Sequence, residues 1–387
     1  MKSIASAIPF NSSAIFYQYF KLKLSMFSPL FQAILLTISG IIGAGIFALP
    51  YVFVYSNFYF SVIGLAFLTL VTILLNRFYI DVILSIRTDH QLPGYINIYL
   101  GPKFRNLAVL NLLISSFGAL IAYIKLATNF LLVFFPAISP ALLSNIFIIV
   151  IILLFFLRFR VNLSPLNYLP LLAIFIVLVI FSTTINLNLP PIPSFPPVIY
   201  FFGVTAFSLS GFTILPEVEE LLRHHNQRSK LYLASLWSLL TVFVVYFIFS
   251  YSIARLSGQT ISPDTISGLN HVSPLLSRIT SIFGLLIITT ISSSFINVIK
   301  EIFFRDLKLK LSLSVLLAIS FPFFSYLLKK ITFLEIISLV GSVDLFISTL
   351  LICLARLKIK RNPQLWLTIF FILFVFLAGL IIEFLPF

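Results

Sequence analysis

Two short stretches carry the residue types and spacing that could bind a small molecule. The first is Thr37–Pro50, TISGIIGAGIFALP, an apolar run that holds Gly40, Gly43 and Gly45. Glycine costs a helix interior about 1 kcal/mol relative to alanine, so two glycines flanking one alanine predict a helix that opens. Opened backbone inside a bilayer is tolerated only where its N–H and C=O groups face protein, ligand or water. The N–H groups of Gly43, Ala44, Gly45, Ile46 and Phe47, at a positive half-helix end, could receive a carboxylate. The second stretch is Phe202–Pro216, weakened by Gly203, Ser208, Ser210 and Gly211. Its carbonyls from Phe207 to Ser210 could receive an ammonium. Between the two, Phe47 and Phe207 would shape a side-chain pocket, and the Tyr123 hydroxyl would be a further contact.

Other groups at span depth are ionisable or hard oxygen donors. Lys125 and Asp344 lie within apolar runs, where a charge is expensive and usually marks function or a buried partner. Their positions along oppositely directed spans predict similar depth, and so an ion pair that gates the site or carries a proton. Its structural alternative is a static bridge. Ser292 and Ser293, in a run that also holds Thr289, Thr290 and Ser294, could ligate a cation; helix–helix hydrogen bonding is the plainer reading. Glu217, directly after Pro216, could close an inner gate against Arg87 or Arg105, although Glu217, Glu219 and Glu220 beside Arg223 and Arg228 also read as a solvated edge.

Several chemistries are excluded or unsupported. Gly43-Ala44-Gly45-Ile46-Phe47-Ala48 fits the dinucleotide pattern G-x-G-x-x-A. That fingerprint needs a preceding strand and an acid roughly 20 residues on, whereas the flanks are apolar spans and the next acid is Asp81. None of the four histidines falls in an apolar run, so no histidine metal site is expected in the membrane. The single cysteine, Cys353, excludes an intramolecular disulfide and reads as a packing residue.

The elements that must position these residues follow from composition. With 60% hydrophobic residues, 9% charged and a mean hydropathy of +1.14, the chain reads as an all-α polytopic membrane protein. Apolar runs near 29–54, 58–83, 107–135, 141–157, 165–185, 199–222, 231–256, 274–299, 311–328, 332–355 and 365–386 predict about eleven transmembrane helices. The net charge of +14 is spread over short clusters between these runs. That argues for the positive-inside rule and against a nucleic-acid partner. An inside N-terminus leaves only Arg255, Lys329 and Lys330 in outer loops, with Lys125 and Arg278 within spans and every other Lys and Arg inside. The C-terminus is then outside, and the protein is a multi-pass protein of the cell membrane. Residues 1–28 are expected to form a cytoplasmic tail, 90–105 a short helix at the inner surface, and the proline-rich 186–198 a stiff outer loop. Connections this short leave no room for a catalytic domain.

The two weakened runs also look like a pair. Each leads from small residues into Leu-Pro, at Leu49-Pro50 and Leu215-Pro216, and they lie five spans apart in opposite topology. This predicts inverted five-helix repeats over 29–185 and 199–356, with 357–387 adding an inner loop and an eleventh span. GIIGAGIFALP, LPGYINIYLGPKFR, GALIAYIKLATNFL and AFSLSGFTILPEVEELL together resemble the amino acid/auxin permease family of the amino acid–polyamine–organocation superfamily. The resemblance implies a leucine-transporter-like fold with discontinuous first and sixth helices. It also implies amino acid transport coupled to H⁺ or Na⁺, without a cofactor or an enzymatic step. Titratable Lys125 and Asp344 favour the proton. A ligand-sensing receptor of the same fold, binding an amino acid without moving it, is the alternative.

Overall fold

The computed structural model describes residues 27–86, 90–160, 168, 171–185, 200–326, 330–359 and 363–384. The expected N-terminal tail (apart from its last two residues), Arg87 and the proline-rich outer loop lie outside the described residues. Every regular element among the described residues is helical. In chain order they begin with α1 (Pro29–Ile41), a 3₁₀ turn (Ala44–Phe47), α2 (Leu49–Tyr55), α3 (Phe58–Leu84), α4 (Leu92–Leu100), α5 (Pro102–Leu132), α6 (Pro140–Arg160) and α7 (Leu172–Ile185). They continue with α8 (Phe201–Leu209), α9 (Leu215–His224), α10 (Leu231–Ser257), α11 (Ile266–Val272), α12 (Pro274–Glu301), α13 (Leu311–Ser320), α14 (Phe333–Ile359) and α15 (Pro363–Phe384).

Eight helical stretches among the described residues are long and apolar enough to cross a membrane. Three shorter apolar helices, Pro29–Ile41, Leu172–Thr184 and Leu311–Ser325, fall in the expected first, fifth and ninth spans. The periphery is as apolar as the core. On α3 the exposed side chains Tyr59, Phe60, Ile63, Phe67 and Leu70 recur at helical spacing, as do Leu367, Phe370, Phe374, Leu377 and Ile381 on α15. Such stripes suit lipid rather than water.

Local signals set the helix ends. Ser28 caps α1 by accepting from the Phe31 N–H at 3.3 Å, with Pro29 at the first position. Pro50 and Pro216 lie in the first turns of α2 and α9, where a missing N–H costs nothing, so each Leu-Pro restarts a helix after a break. The short helix expected in 90–105 is α4. Its Tyr95 is buried and meets Tyr79 of α3 edge to face, with ring centroids 6.1 Å apart.

Small residues hold α5 and α8 against α14. A Cβ on Gly118 of α5 would collide with Val340 of α14, one on Gly203 of α8 with the Ser338 carbonyl, and one on Gly341 of α14 with the Gly203 carbonyl. Backbone meets backbone between α8 and α14. Gly341→Ala should therefore destabilise the fold by about 1–3 kcal/mol through overpacking, read as a lower thermal midpoint of the purified protein. Glu383 of α15 closes the same seam, accepting from the Ser338 hydroxyl.

Candidate functional site

The two predicted openings are present and touch. α1 ends at Ile41; Ile42 is extended (φ −72°, ψ 111°) and Gly43 lies at φ −138°, ψ −148° before the 3₁₀ turn. α8 ends at Leu209, with Ser210 extended (ψ 90°) and Gly211 at φ −135°. A Cβ on Gly40 would come 2.9 Å from Ile214 Cβ, one on Gly211 2.9 Å from Ile41 Cα, and one on Gly45 2.9 Å from Ser208 Cα. Positions rise along one segment as they fall along the other, so the broken segments run antiparallel in direct contact. Glycine is needed at Gly45 because no side chain fits between the two backbones.

The opened backbone is enclosed. Ala44, Ile46, Phe47 and Ser208 are each at most 2% exposed. The Tyr123 hydroxyl of α5 accepts from the Ala44 N–H at 3.3 Å, and a Cβ on Gly43 would come 2.6 Å from that same oxygen. Tyr123 therefore occupies the place expected for a carboxylate contact, and its ring rests edge to face on Phe295 of α12. The Phe47 ring points into the protein against Phe130 and Phe249, at centroid distances of 4.9 and 6.1 Å. Phe207 sits against α14, where a Cβ on Gly341 would come 2.7 Å from its Cβ. Tyr123→Phe removes the acceptor for the Ala44 N–H, and with it a hydrogen bond worth about 1 kcal/mol. Because a substrate carboxylate displaces this hydroxyl, ligand affinity should rise by a factor of about 5 to 10 while the thermal midpoint of the unliganded protein falls slightly, measured by equilibrium binding and a melt on the same preparation.

Two contributors were not singled out from the sequence. The Tyr246 hydroxyl of α10 lies within donating distance of both the Ser208 carbonyl, at 2.8 Å, and the Ile41 carbonyl, at 3.3 Å, so one side chain ties the two openings together. Ser208, expected to offer its carbonyl to an ammonium, has that carbonyl engaged by Tyr246. Thr265, just before α11, donates its hydroxyl to the Phe47 carbonyl. It is fully buried at φ +64°, a left-handed conformation unusual for a β-branched residue. The segment between α10 and α12 thus caps the first opening.

The remaining sequence candidates are dispersed. Lys125 and Asp344 do not meet. α5 and α14 pack antiparallel, with Asn111 against Asp344, Gly118 against Val340, and Lys125 within electrostatic reach of Glu335. Glu335 and Asp344 are nine residues apart on α14, so Lys125 is displaced from Asp344 by roughly 13 Å along the helix. Their expected depths assumed equal penetration of both spans, whereas Lys125 is only seven residues from the end of α5. Asp344 instead accepts from Asn111 Nδ2 at 2.7 Å and from the Ser348 hydroxyl at 3.3 Å. Ser293 donates to the Thr290 carbonyl at 2.8 Å, and Ser292 is fully buried with no hydrogen-bond partner for its hydroxyl.

The acids on α9 also differ from the expected solvated edge. Glu217 is exposed, but Glu219 is 3% exposed and bound by Arg228, with Arg223 at 3.5 Å. Arg228 further donates to the carbonyls of Ile83, Leu84 and Ile86 at the end of α3. Arg356 of α14 meets Asp81 of α3 at 2.7 Å. Among the described residues, no group of three or more His, Cys, Asp or Glu side chains could hold a metal.

Known structures share this architecture. A manganese transporter from Eremococcus coleocola, crystallised with an aromatic bis-isothiourea compound, matches with a TM-score of 0.63 at 13% identity, over 91% of this chain and 86% of that one. MHP1, a nucleobase-cation-symport-1 family transporter in a closed conformation with bromovinylhydantoin bound, matches with a TM-score of 0.62 at 10% identity, over 92% of this chain and 90% of that one. At such identities the likeness establishes the fold. No curated protein sequence matches this chain. Residues 28–252 match the family described as transmembrane amino acid transporter protein, a stretch that covers more than half of the chain and both openings. The protein belongs to the transmembrane amino acid transporter family.

Proposed function

We propose that the chain is a secondary active transporter that moves amino acids across the cell membrane by alternating access. The observation that carries this reading is the antiparallel contact of two opened helices, Gly43–Phe47 and Phe207–Gly211, at one buried point. It supports inverted repeats of five helices with an appended eleventh, and the distribution of Lys and Arg between the apolar runs supports an inside N-terminus and an outside C-terminus. The carboxylate of the substrate binds the N–H groups of Gly43 to Phe47 and exchanges with the Tyr123 hydroxyl at Ala44. Its ammonium binds carbonyls near Ser208 and Ser210 once Tyr246 yields. Phe47 and Phe207 limit the side chain.

Coupling is to protons, with Asp344 as carrier in its pocket of Asn111 and Ser348, and with Lys125 and Glu217 as gating charges at opposite ends of the bundle. Ser292 and Ser293 are the sodium alternative. Uptake by proteoliposomes under an imposed pH or Na⁺ gradient separates these. Accumulation driven by an inward proton gradient, and lost in Asp344→Asn, is the expected result; uptake driven by Na⁺ and indifferent to pH would overturn proton coupling. A sensor of the same fold would bind amino acids in detergent yet show no net uptake under either gradient.

A further inference from the structure

A cation interrupts the lipid-facing stripe of α3. Phe60, Ile63, Phe67 and Leu70 are exposed at helical spacing, and the next exposed position on the same side is Arg77. α10 runs antiparallel beside this helix. The Phe58 ring meets Tyr251, Asn76 Nδ2 donates to the Ser235 hydroxyl at 3.0 Å, and the Arg77 guanidinium carbon lies 5.7 Å from the centroid of the Tyr232 ring. α10 has an exposed stripe of its own, formed by Tyr232, Leu233, Trp237, Leu240 and Val244. In the register these contacts set, Leu70 is level with Leu240, and Trp237 lies about one turn deeper in the membrane than Arg77.

The charge of Arg77 is not answered by protein. Arg77 lies seven residues before the end of α3 at Leu84, about 10 Å along the helix. A guanidinium on a lipid-facing side is costly against hydrocarbon and turns toward the headgroups. The acids of this end are already engaged: Asp81, one turn further on, meets Arg356 at 2.7 Å, and Glu219 is bound by Arg228. Among the described residues, Arg77 has no carboxylate within ion-pair distance. The face of Tyr232 attracts the cation and fixes its place but does not neutralise it.

We propose that the groove between α3 and α10 binds an anionic phospholipid, with its phosphate on Arg77 and its acyl chains along Leu70 and Trp237. Guanidinium matches phosphate through paired, charge-assisted hydrogen bonds, and the exposed leucines and rings match hydrocarbon. Phosphatidylcholine offers the same phosphate but carries its own cation, so one unanswered arginine selects the headgroup with net negative charge. The inner leaflet follows from the inside N-terminus proposed above. Lipid binding itself does not depend on what the central opening carries.

The chain has two tryptophans, Trp237 in this groove and Trp366 on α15. In Trp366→Phe, Trp237 is the sole reporter, and bromine on an acyl chain quenches a tryptophan it touches. The full chain with that change is reconstituted in phosphatidylcholine vesicles that contain increasing fractions of dibrominated phosphatidylglycerol or dibrominated phosphatidylcholine. Phosphatidylglycerol is expected to compete for Trp237 roughly fivefold better, the factor for one cation meeting an anionic headgroup. Arg77→Gln should bring the two lipids to parity, and Arg77→Lys should keep part of the preference. Quenching by the brominated phosphatidylcholine should be the same in all three proteins, which shows that the groove is intact. Equal quenching by both lipids with Arg77 present would overturn the proposal. A preference that survives Arg77→Gln would overturn it too, because the attraction would then come from other basic residues.

Discussion

Gly45→Ala is expected to reduce uptake by about ten- to a hundredfold while leaving a folded, monodisperse protein. The added methyl would collide with the Ser208 hydroxyl and come 2.9 Å from Ser208 Cα. The hydroxyl is held by the Val204 carbonyl at 2.8 Å, and Cα is backbone, so neither can move aside cheaply. Overpacking of this kind costs about 1–3 kcal/mol, equivalent to roughly one or two powers of ten in an equilibrium between open and closed arrangements. The strain falls where the two openings meet, so it should appear in transport before it appears in stability. Initial uptake rates compared with a detergent melt on one preparation decide the matter. Unchanged uptake in Gly45→Ala would mean that the contact between the two openings is not part of the working cycle.

Glu219→Ala should lower stability by about 3 kcal/mol, whereas Glu217→Ala, two residues away, should change it by less than about 0.5 kcal/mol. Glu219 is buried and paired, and removing one partner of a buried pair costs about 3–5 kcal/mol because the other charge is stranded. The lower end applies because Arg228 keeps its bonds to the carbonyls of Ile83, Leu84 and Ile86. Glu217 is exposed on the other side of α9, and surface changes away from special features rarely exceed that smaller value. Thermal midpoints of the two variants, with Arg228→Ala as a third, test the ordering. Equal midpoints for both glutamate variants would show that the pair at Glu219 contributes nothing.

What could be read from the sequence was whatever announces itself locally. Gly43, Gly45, Ser208 and Gly211 are misfits in apolar helices, and Leu-Pro marks where each helix resumes, so both openings were visible. Tyr123 was reached because it lies beside an anomalous lysine within one span. Tyr246 was not, because one tyrosine in YFIFSYS looks like any other until α10 is laid across both openings. Thr265 is a similar case: its role depends on a left-handed turn placed by long-range packing. The Lys125–Asp344 pair failed because depth within a span gives no register between spans. That register is set by Gly118 against Val340 and by Asn111 against Asp344, contacts between residues more than 200 positions apart in sequence. Glu219 and Glu217 differ only in which face of α9 they occupy, and the apolar partners that choose the face come from elsewhere in the chain.

The seam at Gly203 and Gly341 bears on how the molecule can move. Two helices whose backbones touch cannot slide past one another without passing through a collision, and Glu383 pins the same place from a third helix. α8, α14 and the end of α15 therefore form one lever rather than three independent parts. Any rocking that opens the site must carry all three together, leaving Ser210 and Gly211, where α8 ends, as the pivot.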